Sequence, residues 1–304
     1  MKRIHADTVH PICIFIFFAG VLGFTLACSH PVIGGVSLVC ACAYLVCLRG
    51  LGRLRRHLKF ALPLMIIVAV ANPLFNHRGK TLLFIMFDQW FTLEAVAYGV
   101  VAGVQLGAVI LWFACYQIVM TSDKFLYLFG KAAPSAALLI TMTLRLIPGL
   151  QSQLEQIKTA HRMLEPKPER LAQKMHVAIR RLSTLLSWSM ENAVEMADSM
   201  KARGYGVRRR TTFHLFRFDS RDTVILSVLL LLCGVCLLGR AFGHGDMRFF
   251  PSMSAVFTGE SGMVTYGAFT LFGLLPTIFE ISENLRLAAY TRQAGSAAMS
   301  RYSA

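Results

Sequence analysis

Two arginines stand where this chain could do chemistry: Arg162 in His161-Arg162-Met163 and, 41 positions later, Arg203 in Ala202-Arg203-Gly204. A guanidinium is a planar, permanently charged fork of N–H donors that can grip a carboxylate through two parallel hydrogen bonds. The chemistry open to the pair is therefore recognition of an acidic surface. A cation near a helix C-terminus is also favoured by the helix dipole alone, so both readings stand for each arginine. Other reactive patterns are scarce. His-Glu-x-x-His and Gly-x-Ser-x-Gly are absent, and no apolar span holds paired carboxylates. His77-Arg78-Gly79-Lys80-Thr81 imitates the end of a phosphate loop, but Leu74 sits where that loop needs glycine. Cys233-Gly-Val-Cys236 has metal or redox spacing, yet its span offers neither a second pair nor a histidine. With Cys13, Cys28, Cys40, Cys42, Cys47 and Cys115 it reads as small apolar packing.

The element that must position Arg203 is long. From Glu169 to Arg203 there are 35 residues without proline or glycine, which as one helix would extend about 52 Å. Met175, Ile179, Leu182, Leu186, Met190, Ala193, Ala197 and Met200 recur at three- and four-residue steps, so one face is continuously apolar. Gly204 offers a left-handed cap directly after Arg203. Upstream, Ser122 or Thr121 can cap a short amphipathic helix that ends near Gly130 and Pro134. A second long helix is expected from Ala136 to Leu164, tolerating Pro148-Gly149, with Ile147, Leu150, Leu154, Ile157, Ala160 and Leu164 on one face. Arg145 inside its apolar half argues against a membrane crossing, and Pro166-Lys-Pro168 breaks it before the next helix begins.

The rest of the chain is built for lipid. Of 304 residues 55% are hydrophobic and only 15% charged, a composition that predicts an integral membrane protein. Six windows meet or approach the roughly 17–25 apolar residues that cross a bilayer: Ile12–Cys28, Val32–Leu48, Phe60–Phe75, Ala95–Met120, Val224–Leu238 and Met263–Phe279. The expected fold is an all-α integral membrane protein with about six transmembrane helices plus long cytoplasmic amphipathic helices. Three regions follow: a four-span module over 1–120, a cytoplasmic helical module over 121–206, and a two-span region over 207–304. The net charge of +15 gathers before the first span, after the second, before the fifth and after the sixth. Both termini in the cytoplasm satisfies the positive-inside rule, with Arg78 and Lys80 mildly discordant. The basic excess thus describes topology rather than nucleic-acid binding.

The spans also lack what an autonomous carrier needs, because Asp, Lys and Arg are missing from their interiors and Gln105 is the main polar group. Gly99, Gly103 and Gly107 form a small-residue stripe that suits either packing within the chain or a face kept for another membrane subunit.

Four landmarks in order, "ANPLFNHRGKTLLF" (71–84), "TSDKFLYLFGKAAPS" (121–135), "TLRLIPGLQSQLEQI" (143–157) and "AVEMADSMKARGYG" (193–206), resemble the transmembrane T component of energy-coupling factor (ECF) transporters. The resemblance covers most of 54–206. It implies a scaffold without catalytic activity or cofactor of its own, in a bacterial or archaeal cell membrane. Two ABC-type ATPase partners would bind ATP and Mg, and a membrane-embedded substrate-binding S component would carry a vitamin or metal ion. Ala202, Arg203 and Gly204 match the family's second ATPase-docking motif. Arg162 falls at the position of the first, but without the small residue before it or the glycine or serine after it. The apolar face from Met175 to Met200 would be coupling-helix surface. A conventional ABC permease is the nearest rival, though it would line its own pathway. A non-transport membrane anchor or an intramembrane enzyme is the rival from another class.

Overall fold

A computed structural model describes residues 9–76, 81–86, 89–130, 133–164, 170–207, 218–243, 247, 249 and 259–302. They form helices α1 (Pro11–Ala27), α2 (Pro31–Arg49), α3 (Leu51–Phe75), α4 (Leu93–Val119), α5 (Ser122–Gly130), α6 (Pro134–Leu164), α7 (Leu171–Ala202), α8 (Ser220–Ala241) and α9 (Gly259–Tyr302). Between α3 and α4 an antiparallel ribbon pairs β1 (Leu82–Met86) with β2 (Gln89–Thr92). The protein is an α-helical membrane protein. Five helices, α2, α3, α4, α8 and the first half of α9, are long and apolar enough to cross a bilayer, and α1 is a shorter apolar helix of 17 residues. Each of the six expected spans is thus a helix. The turn at Pro166-Lys-Pro168 and the basic residues Lys2, Arg3, Arg78, Lys80, Arg208, Arg209, Arg210, Arg217 and Arg248 lie outside the described residues.

Two helices outrun their apolar windows. α3 begins nine residues before Phe60 and takes Arg53, Arg55, Arg56 and Lys59 into its first turns. Only Gly50, at φ 78°, separates it from α2, a left-handed conformation that glycine adopts without strain. α9 runs for 44 residues past Pro276, about 66 Å of helix.

The chain divides into two compact units. One joins residues 1–124 to 216–304, so the N-terminal helices and the C-terminal pair pack together although some 90 residues separate them. Its centre is aromatic. Trp112 of α4, fully buried, meets Phe17 and Phe18 of α1 edge-on, with Tyr44 of α2 tilted beside it. Phe24, Ile33, Cys236, Tyr266 and Phe269 form a second cluster across α1, α2, α8 and α9. Several polar atoms inside this unit have partners in the chain, as hydrocarbon favours. Trp112 Nε1 donates to Ser37 Oγ at 2.9 Å, and Ser37 shares a 2.9 Å bond with Thr25 Oγ1. Gln105 Nε2 donates to the carbonyls of Thr25 (2.6 Å) and Leu26 (3.2 Å), and the Arg240 guanidinium donates to that of Ala27. The last carbonyls of α1, which no helical N–H can reach, are satisfied from α4 and α8.

The N-termini of α1 and α2 repeat one device. His10-Pro11 and His30-Pro31 each set proline in the first helical turn, where no N–H is needed. Each histidine Nδ1 accepts from the N–H two residues on, at 3.3 Å. An accepting Nδ1 leaves the proton on Nε2, and in His30 that atom lies 2.9 Å from the Tyr266 hydroxyl. The backbone N–H of His10 donates to Asp222 Oδ1 at 3.3 Å, which fastens the start of α1 to the start of α8. At the opposite end of α4, Glu94 Oε1 accepts from the N–H of Thr81 and ties the base of the ribbon to the first turn, where a carboxylate suits the helix dipole.

The glycine stripe of α4 packs within the chain. A Cβ on Gly99 would fall 2.6 Å from the Ala69 carbonyl oxygen, and one on Gly103 would fall 2.7 Å from that of Met65. Those atoms are backbone of α3, so the two helices touch main chain to main chain. Gly99→Ala or Gly103→Ala should lower stability by about 1–3 kcal/mol through overpacking. Gly234→Ala on α8, where nothing lies within 4 Å of the added carbon, should be neutral or stabilising by about 0.5–1 kcal/mol. Thermal unfolding of the three variants in one detergent distinguishes these outcomes.

Candidate functional site

The second unit, residues 125–215, contains α6, α7 and most of α5. Proline is confined to the first turn of α6 and to Pro148, and the helix continues through both. α7 has none, and it ends in a complete left-handed cap. Gly204, at φ 83°, donates to the Lys201 carbonyl at 2.9 Å, and Tyr205 donates to that of Met200 at 3.1 Å. These are the paired bonds of a Schellman closure, with Arg203 as the capping residue and Ala202 the last in the helix. Arg203 thereby leaves the helix at a fixed place, exposed, and it makes no ion pair among the described residues. Ala202 and Gly204 beside it are exposed too.

Arg162 is also exposed, in the last turn of α6. One turn and more upstream, Glu155 and Lys158 pair at 2.7 Å. The Lys158 hydrogen bond, and then its charge, hold the Glu155 carboxyl below its ordinary value, with a smaller contribution from Arg162. The two arginines differ in support. Arg203 is framed by a glycine-closed terminus, whereas Arg162, in the last turn of α6, is followed by Met163, 82% exposed.

α6 and α7 pack on each other. The less exposed residues of α7 are Val177, Arg181, Leu185, Trp188, Ser189, Asn192, Met196 and Met200, one helical stripe. Those of α6 include Met142, Leu146, Leu150, Leu154, His161 and the buried Ile157. The apolar series read from the sequence lies on another face. Met175, Ile179, Leu182, Leu186 and Met190 are 54–71% exposed, and Ala193 and Ala197 are exposed with them. Met200 alone of that series is partly covered. Periodicity found the oily face of α7 but missed the packing face, because Arg181, Ser189 and Asn192 interrupt the latter with polar side chains. On α6, Leu150, Leu154 and Ile157 turn inward as expected, while Ile147 and Ala160 stay exposed.

The arrangement offers contacts for binding a partner. Among the described residues no group of three His, Cys, Asp or Glu side chains could hold a metal. What this unit offers is an apolar stripe several turns long and, past its end, an unencumbered cation.

No protein-family model matches the chain. Similarity to individual proteins is clear over about a third of it. The energy-coupling factor transporter transmembrane protein EcfT of Lacticaseibacillus paracasei is 34% identical over 108 residues, covering 34% of this chain and 41% of the relative. EcfT 1 of Listeria monocytogenes is 33% identical over 99 residues (32% and 37%), and EcfT of Bacillus selenitireducens 31% over 110 (35% and 41%). The chain thus spans about two fifths of the length of these curated relatives.

The cap gives a local test. Gly204→Ala puts a Cβ on a left-handed backbone, a penalty of roughly 1–2 kcal/mol. Amide exchange at Gly204-Tyr205, whose bonds close the helix, should speed up by about tenfold or more, while the amides of α7 before Met190 keep their protection.

Proposed function

We propose that this protein is the transmembrane scaffold and coupling subunit of an ECF-type ABC importer. Two ABC-type ATPases, which supply the ATP and Mg sites, dock on its cytoplasmic helices. Their closing and opening moves α6 and α7, and those helices tilt a membrane-embedded S component that carries a micronutrient, a vitamin or a metal ion. The chain itself catalyses nothing and holds no cofactor. It sits in a bacterial cell membrane with both termini in the cytoplasm, an orientation that places its basic clusters on the inner side.

The observation that carries this reading is the end of α7. A stiff helix of 32 residues leaves an apolar stripe uncovered within its own chain and fixes Arg203 in the open just beyond it. A guanidinium so placed can enter a carboxylate-lined groove as a two-pronged donor. The interior of the membrane unit supports the same division of labour. Its polar side chains Gln105, Ser37, Trp112 and Arg240 are engaged in holding helices together, so cargo selection falls to a companion protein. Similarity to EcfT proteins over a third of the chain agrees with this assignment.

Charge reversal tests it. Arg203→Glu should weaken capture of the co-expressed ATPases by ~2–5 kcal/mol, the cost of spoiling a desolvated charge contact, with the helical content unchanged. Arg162→Glu should cost less, because its surroundings lack the glycine closure. Pull-down of the ATPases from membranes is the measurement. Full capture by the double variant would overturn the docking role.

A further inference from the structure

The start of α3 carries an unbalanced charge that the coupling reading leaves unused. Arg53, Arg55, Arg56 and Lys59 stand within seven residues of its first turns, and Arg49 precedes them in the last turn of α2. All five are exposed. None of them joins an ion pair or a side-chain hydrogen bond among the described residues. The sequence offers no local acid either, because no aspartate or glutamate occurs between Asp7 and Asp88. Like charges three and four residues apart on a helix repel, and the first turn disfavours cations. An anion from outside the chain relieves both costs.

The surroundings of these cations say what kind of anion fits. The inner face of α3 is set by its seam with α4, where Met65 and Ala69 meet Gly99, Gly103 and Gly107. The cations lie outside that seam, in two neighbouring rows. One row runs Arg53, Arg56, Phe60, Pro63, Ile67, Val70 at alternating three- and four-residue steps, and the other runs Arg55, Lys59, Leu62, Ile66. Every member is exposed, and Phe60, Ile66, Ile67 and Val70 keep 54–71% of their surface open. Each row thus opens with two cations and continues as hydrocarbon along a helix apolar enough to cross a bilayer.

A ligand for such a face needs a negative head and an apolar body in one molecule. A dissolved acidic peptide or nucleic acid would use the cations and leave the apolar continuation bare. A zwitterionic phospholipid would bring its own ammonium to a site already crowded with cations. We propose that the start of α3 is a binding site for anionic phospholipid of the phosphatidylglycerol type, with one phosphodiester on Arg53 and Arg56 and a second on Arg55 and Lys59. The members of each pair are neighbours on the helix surface, close enough to share one phosphate. The acyl chains lie along the apolar part of the same row. Basic residues clustered at the end of a membrane span strengthen the hold on anionic headgroups by about fivefold per cation. The bound lipid neutralises the first turns of the helix that closes on the glycine stripe of α4. The inference does not rest on the ATPase or S-component assignment.

Native mass spectrometry of the detergent-purified 304-residue chain, titrated with phosphatidylglycerol or phosphatidylethanolamine of matched chains, reads the site without any other subunit. The parent should retain two phosphatidylglycerol molecules, bound about tenfold or more tightly than phosphatidylethanolamine. Arg53→Gln with Arg56→Gln should leave one, as should Arg55→Gln with Lys59→Gln, and the fourfold variant none. Lys174→Gln, at an exposed cation of α7, should bind as the parent does, which separates the site from a general effect of net charge. Soluble glycerophosphoglycerol, the headgroup without its chains, should not compete. Thermal unfolding provides a second readout: phosphatidylglycerol should raise the midpoint of the parent and leave that of the fourfold variant unmoved. The substituted residues are exposed and repel one another, so their loss keeps the fold, and circular dichroism verifies that. Equal binding of the two lipids by the parent, undiminished binding by the fourfold variant, or full displacement by the soluble headgroup would overturn the proposal.

Discussion

In hydrocarbon no water can satisfy a stray backbone group, and that constraint governs the membrane unit. α1 is the clearest case. At 17 residues it is the shortest of the six apolar helices, and its last carbonyls are taken up by Gln105 of α4 and Arg240 of α8. The helix is short because its neighbours complete it. Ser37 and Thr25 meet the same demand for Trp112. The unit's named polar contacts therefore tie helix to helix, and its energetic core is aromatic contact plus the backbone-close seam between α3 and α4.

The second unit obeys different terms. α7 hides a mixed polar stripe against α6 and leaves its oily stripe uncovered, the reverse of what a self-sufficient soluble hairpin would do. Such an inversion carries a solubility cost that persists only where something else covers the face. Stiffness comes with it. A terminus closed by two backbone bonds and a left-handed glycine keeps the guanidinium at one height along the helix axis, so a push on the tip is felt along the rod instead of being lost in fraying.

Much of this was legible in the residues themselves. The six apolar windows follow from composition, α7 from the absence of breakers between Glu169 and Arg203, and its cap from Gly204. The start of α3 was not legible, because Arg53, Arg55, Arg56 and Lys59 lower the apolarity of a segment that is nonetheless helical. Nor was the ribbon: Leu82–Met86 is too short an apolar run to announce its pairing. Which stripe of α7 faces α6 depends on a partner helix, and local periodicity cannot report that. The twin His-Pro starts of α1 and α2 were a readable signal, proline in the first turn behind a side-chain acceptor.

α9 has a practical corollary. Its span occupies 262–282 of a helix that continues to Tyr302, so about 20 residues, roughly 30 Å of rod, must emerge from the lipid. A fluorophore or affinity handle fused at that end would ride well clear of the headgroups, on a spacer the protein already provides.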